Sequence, residues 1–138
     1  MNSKSIRFTT LGLSVALFLV ALTQKCYCTT SLCGDSILVL IFGFFGMFFG
    51  GAALCWVANP LLITSWILVK KSKTSLFLSL LSALIAMSFM LFDEVIDDEA
   101  GHYNRIIEYK VGYWLWVASH LTMFLGNLVI RKKEQTLG

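Results

Sequence analysis

The chain has 138 residues, 57% of them hydrophobic and 14% charged, with a mean hydropathy of +0.77 and a formal net charge of +3. Soluble domains carry nearer a quarter charged residues, because water must be met by polar surface, so a chain this short and apolar cannot cover itself as a soluble globule. Nor does the positive charge imply nucleic acid: the basic residues fall in short clusters beside apolar runs, the pattern that membrane orientation produces.

The first apolar run, residues 8–23, follows Lys4 and Arg7. A basic start and an apolar centre suit a signal peptide as well as an anchor. The cleavage pattern is poor, with Ala21 and Thr23 its best small residues, and further spans follow, so an uncleaved anchor is expected. At 1.5 Å per residue this run is roughly 24 Å long. After it comes TQKCYCTTSLCGDS, holding Cys26, Cys28 and Cys33. On an outer, oxidising face a disulfide is the default. Cys26 and Cys28 are poorly placed to pair with each other, which favours Cys33 with one of them. The odd thiol is left to bind a soft metal or pair with another chain.

Residues 36–69 are too long for one straight span and short for two. They contain Gly43, Gly46, Gly50 and Gly51, then Asn59-Pro60. Proline removes a backbone donor and biases the residue before it away from helix, so breaks are expected near Gly50-Gly51 and at Asn59-Pro60. Two further runs follow, residues 74–92 and 113–130.

Charge sets the number of crossings. If 36–69 crosses once as a broken segment, Lys4, Arg7, Lys70, Lys71, Lys73, Arg131, Lys132 and Lys133 share one side, against Lys25, Arg105 and Lys110 opposite. That asymmetry is the positive-inside pattern. A five-span chain with its N-terminus outside keeps a weaker asymmetry. The expectation is therefore an all-α bundle of about four transmembrane helices, one integral membrane domain over 1–138, in a bacterial inner membrane with both termini cytoplasmic. Its environment is the lipid bilayer, with a homo-oligomer or another membrane protein as partner.

The stretch LFDEVIDDEAGHYNRIIEYK then links the last two spans on the outer face. Within it Glu99-x-x-His102 and Asp93-Glu94-x-x-Asp97 have ligand spacing, which would suit a hard divalent ion or zinc. Gly101 weakens a helix through that pair, and short acidic clusters arise often, so a solvated loop is the preferred reading and no cofactor is expected. In the last span His120, Asn127 and Ser119 are intramembrane polar groups, and an ionisable group at such depth is a functional candidate. A neutral histidine bonded to a neighbouring helix is the plainer account, since no acid lies in a confident span. Gly43, Gly46 and Gly50, with Ser75, Ser79 and Ser82, offer small faces for close helix packing. Tyr113, Trp114, Trp116 and Trp66 suggest interfacial anchors.

The fragments TQKCYCT, AALCWVANPLLITSWIL, FDEVIDDEAGH and GYWLWVAS are similar to those of small bacterial integral membrane proteins without an assigned activity. The resemblance implies a multi-span bacterial protein and transfers no chemistry. There is no Walker loop, GxSxG, HExxH or CxxC pair. The leading expectation is a non-enzymatic accessory or interaction subunit. Beside it stand a small transporter or channel-forming oligomer, supported by the Gly-rich, Pro-containing second region with His120 and Asn127, and a bacteriocin-type immunity protein. A membrane enzyme using the outer acids and His102 comes last.

Overall fold

The computed structural model describes residues 1–138. In chain order it contains α1 (Ser3–Leu22), β1 (Lys25–Thr29), β2 (Cys33–Asp35), α2 (Ser36–Gly46), two 3-10 segments (Met47–Phe49 and Gly51–Val57) and α3 (Ala58–Ile67). Then follow α4 (Ser72–Ser88), a 3-10 turn (Phe89–Leu91), β3 (Glu94–Ile96), β4 (Tyr103–Tyr109) and α5 (Val111–Leu137). Three helices are long and apolar enough to cross a membrane: α1, α4 with its 3-10 extension, and α5. Each outruns its apolar core. The α1 helix starts at Ser3 because the Asn2 side chain accepts from the Ser5 N–H at 2.8 Å, satisfying a donor that a helix start leaves free.

The expectation of an all-α chain is overturned. Both stretches taken for solvated loops form strands, and they join into one antiparallel sheet in the order β2-β1-β4-β3, so the fold is mixed. The residues are those that fit a pleated surface: KCYCT in β1, and YNRIIEY in β4 with its tyrosines and paired isoleucines. Tyr27 lies opposite Tyr109 and Thr29 opposite Ile106, with a bulge between, while Val95 of β3 faces Asn104. The sheet sits on one end of the bundle through an aromatic stack. Tyr27 meets Phe89, Phe89 meets Tyr113, and Tyr113 meets Tyr109 at ring separations of 5.5, 5.7 and 4.7 Å.

The other end of the bundle holds both termini and the turn at Lys70-Lys71. There Glu134 of α5 accepts from Arg7 of α1 and, at 2.6 Å, from the Ser72 hydroxyl of α4. One carboxylate thus ties three helices together. Between the two ends α1 lies against α5, α5 against α4, and α4 against α3. Gly126 makes the first contact feasible, since a Cβ there would stand 2.1 Å from Thr10 Cγ2.

Residues 36–69 are broken, at one of the two expected places. The chain reverses at Gly50 and Gly51, whose φ values of +77° and +62° suit glycine and strain other residues. Asn59-Pro60 is not a break. Pro60 lies in the first turn of α3, where a missing N–H costs least. Its neighbour supplies a substitute: the Asn59 Nδ2 donates at 3.0 Å to the carbonyl of Trp56, four residues before the proline.

Candidate functional site

Three polar constructions and one cavity are the candidates. The first is the hairpin of β1 and β2. Cys28 and Cys33 are cross-strand partners and form the disulfide, which closes the turn over Thr29–Leu32. Thr29 fills that turn, its N–H bonding the Leu32 carbonyl at 2.8 Å and its hydroxyl reaching Asp97 on the neighbouring turn. Cys26, the other expected candidate, is free and buried, with Sγ donating to the Gly34 carbonyl at 3.3 Å. Burial pushes its thiol up to about 11, so it stays protonated and unreactive at neutral pH. The remaining cysteine, Cys55, is also free and buried, beside Ser88.

The acidic stretch does not gather around His102. Asp97 accepts from Thr29, Ser31 and Asn104, which fixes one turn of the sheet to the other. His102 bonds Asp98, not Glu99: the Asp98 carboxylate takes its N–H at 2.9 Å and its Nδ1 at 2.8 Å. The reason is Gly101, whose φ of +79° makes a turn where the Glu99 spacing needs a helix. Glu94 lies on β3 opposite Arg105, and Asp93 gives its carbonyl to the Ile106 N–H. No three histidine, cysteine, aspartate or glutamate side chains converge as a metal site would require.

Inside the bundle the polar groups meet one another. Ser65 and Ser75 each donate to the other's carbonyl, at 3.0 and 2.8 Å, and Ser79 donates to Leu76. Their hydroxyl hydrogens being spent, all three oxygens face Asn127, whose Nδ2 donates to Ser75 at 2.9 Å and to Ser79 at 3.0 Å. Ser65 lies 3.5 Å from the same amide. Ser82, expected on this packing face, is fully buried and turns back to the Ser79 carbonyl. Across the other seam Ser14 and Ser119 exchange hydroxyl-to-carbonyl bonds at 2.9 and 2.8 Å, and Trp66 Nε1 donates to Ser14. The sequence pointed to Asn127, Ser119 and the serines of α4. Their partners Ser14 and Ser65 carried no signal beyond being polar atoms in apolar runs, and Trp66 suggested only an interfacial anchor.

His120 is fully buried and separate from Asn127's cluster. Its Nδ1 sits 2.7 Å from the Trp116 carbonyl, which can only accept, so Nδ1 bears the hydrogen and Nε2 is a bare acceptor with no partner. The aromatic anchors are also reassigned. Tyr113 is buried with its hydroxyl on the Ala86 carbonyl, and Trp116 Nε1 donates to Asn59 at 2.8 Å. Trp114 alone of the four is well exposed, as an anchor would be.

The cavity lies under the sheet, between the α2 hairpin and the bundle, and measures about 740 Å³. Gly43 and Gly46 make the hairpin rather than a helix–helix seam. A Cβ on Gly43 would fall 2.4 Å from Trp56, and one on Gly46 would be 3.3 Å from Ala53. Gly50, the third expected packing glycine, is the reversal itself, with nothing within 4 Å of an added Cβ. Trp56 Nε1 donates to the Leu40 carbonyl at 2.7 Å and clasps the two limbs. Gly112 brings α5 against the sheet, a Cβ there being 2.5 Å from both the Lys25 carbonyl and Ser36 Oγ. Ser36 is among the residues that line the cavity, but its hydroxyl oxygen is itself closed to solvent, packed beside Gly112. Neither His120 nor Asn127 lines it. No protein-family model, curated protein or solved structure matches this chain.

Proposed function

We propose that the chain is a non-enzymatic accessory subunit of a bacterial inner membrane, with both termini cytoplasmic and its sheet turned outward as the surface that meets a partner. One observation carries this reading: the face of β4 directed away from the bundle. Along β4 the half-buried Asn104 and Ile106 alternate with Tyr103, Arg105 and Ile107, which are exposed. Ile107 stays 64% exposed on a strand whose other side is packed down by the aromatic stack, and Tyr103, 53% exposed, also borders the cavity. A rigid strand presenting an aromatic, a cation and an aliphatic side chain is the composition of a contact surface. Sidedness is supported by charge, since Lys4, Arg7, Lys70, Lys71, Lys73 and Arg131-Lys132-Lys133 belong to the end opposite the sheet. The Cys28–Cys33 bond suits an oxidising outer compartment.

A channel or transporter keeps two buried polar atoms without a partner, His120 Nε2 and Asn127 Oδ1. It has less support overall, because the serine hydroxyls and the Asn127 amide nitrogen are bonded within the bundle and Leu62, Met123 and Ile130 are fully buried among them. Purification in mild detergent tests the reading. The expected result is a stoichiometric foreign membrane protein that is lost when Tyr103 and Ile107 are replaced by Asp, with the monomer still folded. A symmetric oligomer of this chain alone, indifferent to both substitutions, would transfer the function to the channel class.

A further inference from the structure

The cavity under the sheet has a polarity of its own that the partner reading does not use. Of its 35 lining residues 23 are hydrophobic, and none is lysine, arginine or histidine. The acids among them belong to the sheet, Asp35 closing β2 beside Lys25 and Asp97, Asp98 and Glu99 in the β3–β4 turn, while Phe18 and Trp116 belong to the bundle. Its volume of about 740 Å³ is in the range of small-molecule sites, about 300–1,000 Å³.

The way in is equally informative. The outer wall is α2 and the 3-10 segment after it, and Phe42, Phe45 and Phe49 line the cavity while remaining 62%, 61% and 66% exposed. No residue of α2 is buried. Such a wall offers an apolar chain a way in beside the apolar belt of α1, α4 and α5, while the exposed Asp98, Glu99 and Tyr103 leave the sheet end open to water for a polar head.

We propose that this cavity binds a membrane amphiphile with a single apolar chain and an ammonium head. The chain lies between the α2 hairpin and Trp116, and the head meets the carboxylates at the sheet end. The charges at the head position have been counted from every side. Asp35 is paired with Lys25 at 2.7 Å, Asp97 is bonded by Thr29, Ser31 and Asn104, and Asp98 faces His102. Glu99 is exposed and has no ion-pair partner, which leaves it the free anion of the group. An anionic head would meet Asp97, Asp98 and Glu99 of that turn, with no lysine, arginine or histidine lining the cavity.

The test uses the full chain in nanodiscs of uncharged lipid, with two photoreactive probes of equal chain length, an alkylamine and an alkyl carboxylate. Saturable amine labelling of α2 and Trp116 is expected, with a preference over the carboxylate of roughly fivefold, the upper end for partly exposed ion pairs. Glu99→Gln with Asp98→Asn should erase that preference while labelling persists. Leu38→Trp, which fills the mouth from an exposed position, should abolish saturable labelling, whereas Leu13→Trp on the lipid face of α1 should not. Should Leu38→Trp fail to fold, Leu32→Trp fills the sheet end instead. Equal labelling by both probes would overturn the head assignment. Unsaturable labelling spread over all the exposed helices would mean annular lipid only and overturn the site.

Discussion

Two parts of this molecule solve the same problem in opposite ways. Along α1, α4 and α5 polar atoms bond across the helix seams, the kind of contact that would hold helices in lipid, where they have no hydrophobic reason to associate. Only Asn127 Oδ1 of these clusters is left without a partner. Ser14 with Ser119, and Asn127 with Ser75 and Ser79, are fully buried and bonded across the seams. The α2 hairpin has neither device. Its residues SILVLIFGFFG are apolar all round, none is buried, and two glycines with one tryptophan bond hold it to its second limb. The bundle is specified by its own side chains, whereas the α2 limb is left to whatever surrounds it and only the second limb joins the core, through Ala52 and Cys55. Rigidity and openness are thus divided between the two parts, and the cavity lies where they meet.

The same substitution at two glycines measures that division. Gly126→Ala places a methyl against Thr10, whose Cβ, Cγ2 and Oγ1 all lie within 2.7 Å of it on a packed helix. Overpacking of this kind costs about 1–3 kcal/mol, and a helix seam that cannot yield places the cost at the upper end, about 3. Denaturant unfolding in detergent should show this loss, with partial rescue by Thr10→Ala. Gly43→Ala meets a tryptophan ring that can swing out, so about 1 kcal/mol is expected. Hydrogen exchange should rise in α2 and Gly51–Val57 and stay unchanged in α5. Equal global losses from both would mean that the hairpin belongs to the bundle's cooperative unit.

Opening the disulfide comes between these two. Cys28 and Cys33 close a short loop, for which chain entropy gives about 2 kcal/mol. A Cys28→Ser, Cys33→Ser chain should lose protection in β1 and β2 while helix contacts persist. Cys26 should resist alkylation in both forms, since it is buried and its thiol is pushed up to about 11. Rapid alkylation of Cys26 in the oxidised protein would show that the sheet is not seated on the bundle.

Within the bundle single polar deletions are milder. Asn127→Leu removes the amide shared by three serines, but each hydroxyl keeps its bond to a carbonyl, so the loss is set at about 0.6 kcal/mol and at most about 2. His120→Leu should cost as little, because only Nδ1 makes a bond. A large phenotype in either variant with unfolding unchanged would reveal a pathway role.

How legible all this was depends on the range of the determining contact. Local physics marked the three long helices, the reversal at Gly50-Gly51, the buried serines Ser75, Ser79 and Ser82, and the cysteines from which the disulfide is drawn. The sheet was missed because β1 and β4 pair from opposite ends of the chain, and each alone reads as a polar loop. Asn59-Pro60 misled because the proline's missing donor is supplied by the preceding side chain. Glu99-x-x-His102 misled because one glycine at φ +79° replaces a helix turn with a tighter one. The cavity left no mark at all, being made of residues that each look like ordinary apolar lining.

The smallest expected effect lies on the turn that joins β3 to β4. The His102 N–H and Nδ1 both bond the Asp98 carboxylate, and these bonds hold Asp98 below its ordinary value of 3.8. A lowered folded value favours the ionised form, so the turn's stabilisation is complete above about pH 4 and fades only as acid protonates Asp98 in the folded chain. Both partners are open to water, which screens the pair, and the bundle's unfolding should not register the change. Carboxyl chemical shifts followed by NMR should show Asp98 titrating below the ordinary range. In Asp98→Asn the His102 ring should lose its fixed position while thermal unfolding stays the same. If that substitution instead lowered the unfolding temperature, the β3–β4 turn would be a support of the bundle, reached through the sheet residues Tyr27 and Val95 that share its core.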